Sequence, residues 1–262
     1  MIHKIKVTHN SGLFSCFSQR LSAIIKYANE NKVFPDIVDS SEQFLMYKTD
    51  KSVDITETLI QNLDNKISFT KPIHFTDQFT DYSKLDFSLL NPIIGKYFSI
   101  SDIVKNRLNK FIVDYDIDFF DTCSIFYRGN DKRLECKLAT PEMFIEKAQT
   151  IKNYKKSIKF LVQTDDTDFL NQFTSTFKDS IYFRELPTIH NKSMSVSGSL
   201  PENQRLNHAI DLLAAVNIVA RCKYLVTHSG NCGYWASLYR GSPDGIIQHF
   251  TNEANENYGW IL

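Results

Sequence analysis

The chain has 262 residues, 42% of them hydrophobic, with 30 basic and 30 acidic side chains and no net charge. That length holds one large domain or two small ones with real cores. The balanced charge provides no net field toward nucleic acid or an anionic membrane, and the one short basic patch, Lys152–Lys156, reads as a solvated helix end.

In chain order, Ile5 and Val7 alternate with lysines as in a first strand. The turn His9-Asn10-Ser11-Gly12 follows, then Leu13, Phe17, Leu21, Ile24 and Ala28 at helical spacing. Asn10 or Ser11 is the expected N-cap, and the turn aims free N–H groups where an anion can bind. Val33–Asp39 reads as a second strand, followed by a polar loop carrying Glu42. Asp54-Ile55-Thr56-Glu57 resembles a capping box opening a helix to about Leu63. Residues 64–98 show no clean period, and Ser101-Asp102 caps a helix through Val104, Leu108 and Phe111.

Beyond an acidic crossing at Asp114–Asp121, strands and helices alternate. Strands are expected at Cys123–Tyr127, Ile158–Gln163, Ser180–Phe183, Tyr224–Thr227 and Ile246–His249. Helices are expected from Thr140-Pro141 to Ile151, over Phe169–Phe173, over Gln204–Ala220, and from Asn231 to Tyr239, with Met194–Glu202 a loop. This alternation argues for parallel βαβ units.

Three loops each leave a strand for a helix: Arg128–Lys132, Thr164–Asp166 and His228–Asn231. In a parallel sheet they share one edge, where such sheets bind ligands. Arg128 offers a planar fork for a phosphate, and Gly129-Asn130 tolerates a tight turn. His228 reads either as a base or as a satisfied loop partner, and Asp211 as a helix anchor.

The five scattered cysteines form neither a zinc pattern nor a disulfide framework, and the seven histidines include no H-x-x-x-H pair. Reduced thiols, the lysines that interrupt the first residues and the lack of a long apolar run give the expectation of a cytoplasmic protein without a membrane span.

Several blocks, in order, resemble the GT-B glycosyltransferases of the fucosyltransferase superfamily, which takes in the α1,2-, α1,6- and protein O-fucosyltransferases and the bacterial nodulation enzyme. Asn10-Ser11-Gly12-Leu13-Phe14 is similar to the loop opening their first helix, and Tyr97-Phe98-Ser99-Ile100-Ser101 to their Tyr-Phe-x-x-Ser lead. Ile125–Lys132 is similar to His-x-Arg-Arg-x-Asp-Lys, Phe160–Asp166 to the strand ending in Thr-Asp-Asp, and Asp211–Ser229 to the helix, strand and Ser-containing loop closing the donor site.

The resemblance implies an α/β fold of two Rossmann-like lobes with mainly parallel sheets and a cleft between them. Residues 1–117 would take the acceptor and 118–262 the nucleotide sugar, with a tail able to return to the first lobe. The implied reaction is a metal-independent, inverting transfer, most simply of L-fucose from GDP-fucose to a glycan hydroxyl, as in polysaccharide biosynthesis. It needs no cofactor and no metal.

By the same resemblance Arg128 binds the diphosphate, Asp131 holds the loop beside Lys132, and Thr164, Asp165 or Asp166 contacts the nucleotide. Ser229, within His228–Gly230–Asn231, contacts phosphate, while Asn10, Ser11 and Gly12 face donor and acceptor. The chain departs from the motif at Phe126, where some members use His on the donor base, and at Gly129, which replaces the second Arg. The family shares no one base; Asp36, Asp39 and Glu42 are candidates by location after the second strand.

Three alternatives stay open. One is a UDP-sugar donor. Another is a metal-dependent GT-A enzyme using Asp114-Tyr115-Asp116 or Asp166-Thr167-Asp168. The last is a non-catalytic sugar-nucleotide or glycan-binding module.

Overall fold

The computed structural model describes residues 2–252 and 258–261. Strand β1 (Lys4–Lys6) leads through Gly12 into helix α1 (Leu13–Asn31), whose apolar stripe from Leu13 to Ala28 is buried. The expected cap is not made by Asn10 or Ser11, because Gly12 occupies the N-cap. Asn10 instead donates to the carbonyls of Thr8 and Glu42 (2.9 and 2.6 Å) and accepts from Leu45 N (2.9 Å), which ties the turn to the next loop.

β2 (Ile37–Asp39) pairs parallel with β1, Ile5 opposite Val38. The helix expected to reach Leu63 is the single turn α2 (Thr56–Leu59). Asp54 takes the N–H and hydroxyl of Thr56 (2.9 and 2.7 Å), and β3 (Ile60–Gln61) then leaves the helix. Helix α3 (Phe87–Tyr97) lies inside the stretch without a period; Pro92 interrupts it, removing an N–H from the helical ladder. β4 (Ser99–Ile100) pairs antiparallel with β3, and Ser101 caps α4 (Asp102–Asp114) at Val104 N.

The second half runs β5 (Thr122–Tyr127), α5 (Pro141–Tyr154), β6 (Lys159–Thr164), α6 (Thr167–Thr176) and β7 (Ile181–Tyr182). Then follow the single turn α7 (Val196–Ser199), α8 (Glu202–Arg221), β8 (Tyr224–His228), α9 (Asn231–Arg240), β9 (Ile246–Thr251) and β10 (Tyr258–Ile261). Their sheet has the order β10-β9-β8-β5-β6-β7, parallel except for β10. The fold is thus α/β with a central, mostly parallel sheet. β5 is buried along its whole length, as expected where helices cover both faces.

The chain leaves β5 toward β6 on one side and later returns to β8 on the other, so the sheet's order switches between β5 and β8. Register sets which loops meet there: Tyr127 lies opposite Thr164, and Phe126 opposite Thr227. Arg128 therefore emerges between the ends of β6 and β8.

The two halves share one core. Phe17 of α1 and Phe98, just before β4, pack on Trp235 of α9 with ring centroids 5.1 and 4.7 Å apart. In its described part the tail forms β10, which pairs with β9. It is α9 that reaches across to α1 and α3. Among the described residues, no helix is long and apolar enough to cross a membrane.

Phe17 is fully buried. We expect Phe17→Ala to lower unfolding stability by about 3–5 kcal/mol. Urea unfolding followed by tryptophan fluorescence and by circular dichroism should give one coincident transition. Two separated transitions would contradict a shared core.

Candidate functional site

The loop after β5 is organised by the Arg128 side chain. Its Nε donates to Asp165 Oδ2 at 2.7 Å, Nη2 to Asp131 Oδ1 at 2.8 Å and Nη1 to Cys232 Sγ at 3.1 Å. Burial opposes the charge, but Asp165, Cys232 and Asp131 together outweigh that cost and hold the guanidinium protonated. Asp165 Oδ1 also accepts from Gly129 N at 2.9 Å, and Asn130 donates to the Asp165 carbonyl. One carboxylate thereby ties the loop after β5 to the loop after β6.

Gly129 is required by space and not by a left-handed turn, since its φ is not positive. A Cβ there would lie 2.5 Å from the Tyr127 ring and would collide with the Asp166 carboxylate. The second Arg of the resembled motif cannot be accommodated in this packing.

The His228 ring crosses from the third loop. Its Nε2 accepts from Arg128 N and its Nδ1 meets Ser229 O, both at 2.9 Å. Nε2 must therefore carry the lone pair and Nδ1 the proton. Burial, reinforced by the charges of Lys132 and Arg128, pushes the pKa down to about 4. With both nitrogens engaged, His228 is a structural partner of the Arg128 backbone.

The cavity against Arg128 has a volume of about 420 Å³, in the range of small-ligand sites. Ser11 and Gly12 line it from the start of α1, Arg128, Asp131 and Lys132 from the loop after β5, and His228, Gly230 and Asn231 from the start of α9. Two helix N-termini and two cations face one space, which suits an anion.

Sequence reasoning missed the groups that meet these helix ends. Gln78 Oε1 accepts from Asn231 N and from Lys132 Nζ, both at 2.8 Å. The Tyr82 hydroxyl accepts from Gly230 N at 3.0 Å, and the Tyr47 hydroxyl accepts from Leu13 N at 2.8 Å. Gln78 and Tyr82 lie in the stretch without a period, so no local pattern marks them.

Other expected residues lie elsewhere. Ser229 is fully buried, and its hydroxyl accepts from Gln248 Nε2 (3.1 Å) and Thr251 N (2.9 Å). Thr164 and Asp165 line a smaller side groove reached from Arg128. Asp166 caps α6 and pairs with Lys192. Asp168 also pairs with Lys192, so this Asp-x-Asp is held by a lysine, and no metal-ligand cluster occurs among the described residues.

Asp36, Asp39 and Glu42 do not line the Arg128 cavity. Asp36 accepts from His3 N, and Glu42 pairs with Lys6. Asp39 is held by the Ser41 hydroxyl and N–H, then by Lys4, which pull its pKa down to about 2; it lines a separate cavity of about 650 Å³.

These features define an α/β protein with an anion-receptive crevice at the switch point of its sheet. The same architecture occurs in solved fucosyltransferases. A structure of NodZ α-1,6-fucosyltransferase soaked with GDP-fucose superposes with a TM-score of 0.59 at 11% identity, covering 100% of this chain and 99% of that one. One co-crystallised with GDP gives 0.59 at 11% identity, over 100% and 98% of the two chains. Fucosyltransferase NodZ from Bradyrhizobium gives 0.59 at 12% identity, over 100% and 99%. The chain thus has a fucosyltransferase-like fold. No family model and no curated protein sequence matches it.

The buried, neutral His228 makes stability depend on pH. Its unfolded pKa is near 6.5 and its folded value lies below, so its contribution is complete above about pH 6.5 and is lost as pH falls toward 4. His208 and His249 are shifted in the same direction. The urea midpoint should fall between pH 6.5 and 4.5, and His228→Gln should fall less steeply. An unchanged slope would place the proton elsewhere.

Proposed function

We propose that the chain is a metal-independent, inverting glycosyltransferase that moves a sugar, most simply L-fucose, from a GDP-linked donor to a hydroxyl of a glycan acceptor. The observation that carries this reading is the Arg128 fork, clamped by Asp165 and Asp131 and facing a cavity between the N-termini of α1 and α9. The shared fold with structures soaked with GDP-fucose or co-crystallised with GDP supports the donor.

In this reading the diphosphate lies against Arg128 and Lys132, and a phosphate oxygen replaces the Gln78 amide oxygen at Asn231 N. The acceptor oxygen forms its bond to the sugar's anomeric carbon as the bond to the diphosphate breaks. GDP leaves with that electron pair, and Arg128 and the helix ends stabilise its charge. The acceptor proton passes to a carboxylate. Asp131 and Glu135 are on the cavity wall, whereas Asp39 and Glu42 are not.

Residues 1–117 act as the acceptor lobe and 118–262 as the donor lobe, with the cleft between them at the Arg128 cavity. A UDP-linked donor is the second reading, favoured by Phe126 standing where the resembled motif has its base-contacting His.

GDP in EDTA should raise the melting temperature by mass action. Arg128→Ala should abolish that shift and lower transfer by about 10²-fold or more. Wild-type transfer rates in Arg128→Ala would remove the site, and a shift requiring Mn²⁺ would overturn metal independence.

A further inference from the structure

Gln78 lies half-buried on the wall of the main cavity, in a turn outside the helices and strands. Its Oε1 accepts from the backbone N–H of Asn231, the first residue of α9, and from Lys132 Nζ, both at 2.8 Å. A helix-terminal N–H and an ammonium converging on one oxygen is the donor set of a bound anion. Here a neutral amide oxygen fills it. Gln78 Nε2 makes no hydrogen bond among the described residues, so the amide is held through its oxygen alone.

Neither the surrounding chain nor Lys132 depends on that amide for its position. Asn29 exchanges two hydrogen bonds with Ile73 (both 2.8 Å), and the Tyr234 hydroxyl donates to Thr76 O at 2.8 Å. On the other side Gln248 donates to Thr80 O at 3.0 Å and accepts from Tyr82 N at 2.9 Å. The Gln78 side chain can therefore turn out of the cavity with its backbone in place. Lys132 keeps Glu135 Oε2 at 2.6 Å and the Phe79 ring, whose centroid is 4.9 Å from Nζ.

We propose that Gln78 is an internal competitor for the diphosphate: its amide oxygen holds a phosphate-oxygen position in the free protein, and the ligand binds by displacing it. The inference rests on the nucleotide-sugar reading and deepens it, because it makes Gln78 the residue that sets the affinity of that site. A phosphate oxygen carries charge where the amide oxygen carries none, so the exchange at Asn231 N and Lys132 favours the phosphate. It still costs the two hydrogen bonds that Gln78 makes, and affinity is lower than the same donors would give if they stood free. A side chain that contacts the ligand loses binding when it is truncated. A competitor gains it.

The test is calorimetric titration of the whole chain in EDTA with inorganic pyrophosphate and with GDP. Gln78→Met keeps the bulk of the side chain and removes the acceptor; it should tighten both ligands about threefold or more. Gln78→Ala should reproduce the gain if the Met variant does not fold. Gln78→Glu places a carboxylate between the same donors and should weaken both ligands about tenfold. In transfer assays the Met variant should lower the donor KM without lowering kcat, which a merely structural role would not do. Wild-type binding that Gln78→Met and Gln78→Ala leave unchanged or weaken would overturn the competitor and leave the nucleotide-sugar reading standing. Failure of the wild-type chain and the Met variant alike to bind either ligand would overturn that reading and this inference with it.

Discussion

The ion pair between Arg128 and Asp165 is the interaction on which the site depends. A guanidinium at a sheet edge, only 27% exposed, is tolerable when a carboxylate meets it. Asp165 does so while also accepting from Gly129 N, so the charge and the turn are satisfied by one residue. The arrangement holds the fork in place before any ligand arrives. A preorganised cation is worth more to a developing negative charge than one that must be recruited from solvent.

Around that pair the molecule joins parts far apart in sequence. Gln78 and Tyr82 reach Asn231 and Gly230 across roughly 150 positions of chain, and Ser18 accepts from the Trp235 indole. Aromatic packing of Phe17 and Phe98 on Trp235 places these polar contacts within one continuous core. Such contacts determine where the start of α1 stands relative to the start of α9. The cavity consequently has walls from both halves, and a change in the aromatic core would alter its width.

The fold persists with 11% identity to the NodZ structure soaked with GDP-fucose, and the site suggests how such divergence is accommodated. A parallel sheet needs β-branched and aromatic residues at buried positions more than it needs particular ones. The polar groups are more tightly constrained. Gly129 has no room for a side chain beside Tyr127 and Asp166, and His228 occupies both of its nitrogens in supporting Arg128 and its own loop.

What the sequence by itself determined was local. Period marks α1, α8 and the strands β5, β6 and β8, and period with a cap marks α4 and α5, because burial of one face and satisfaction of terminal N–H groups depend on residues a few positions apart. The three strand-end loops were legible for the same reason, and two of them meet the Arg128 cavity directly. Tertiary structure decided the rest. It turned Asn10 toward Glu42, committed the Ser229 hydroxyl to Gln248 and Thr251, and aimed Asp39 away from the cavity. It also brought Gln78 and Tyr82 to the site from a stretch with no motif of its own. A polar side chain's role is set by whichever partner reaches it first in space, and those partners come from sheet register and helix packing over long chain separations, which leave no periodic trace in sequence.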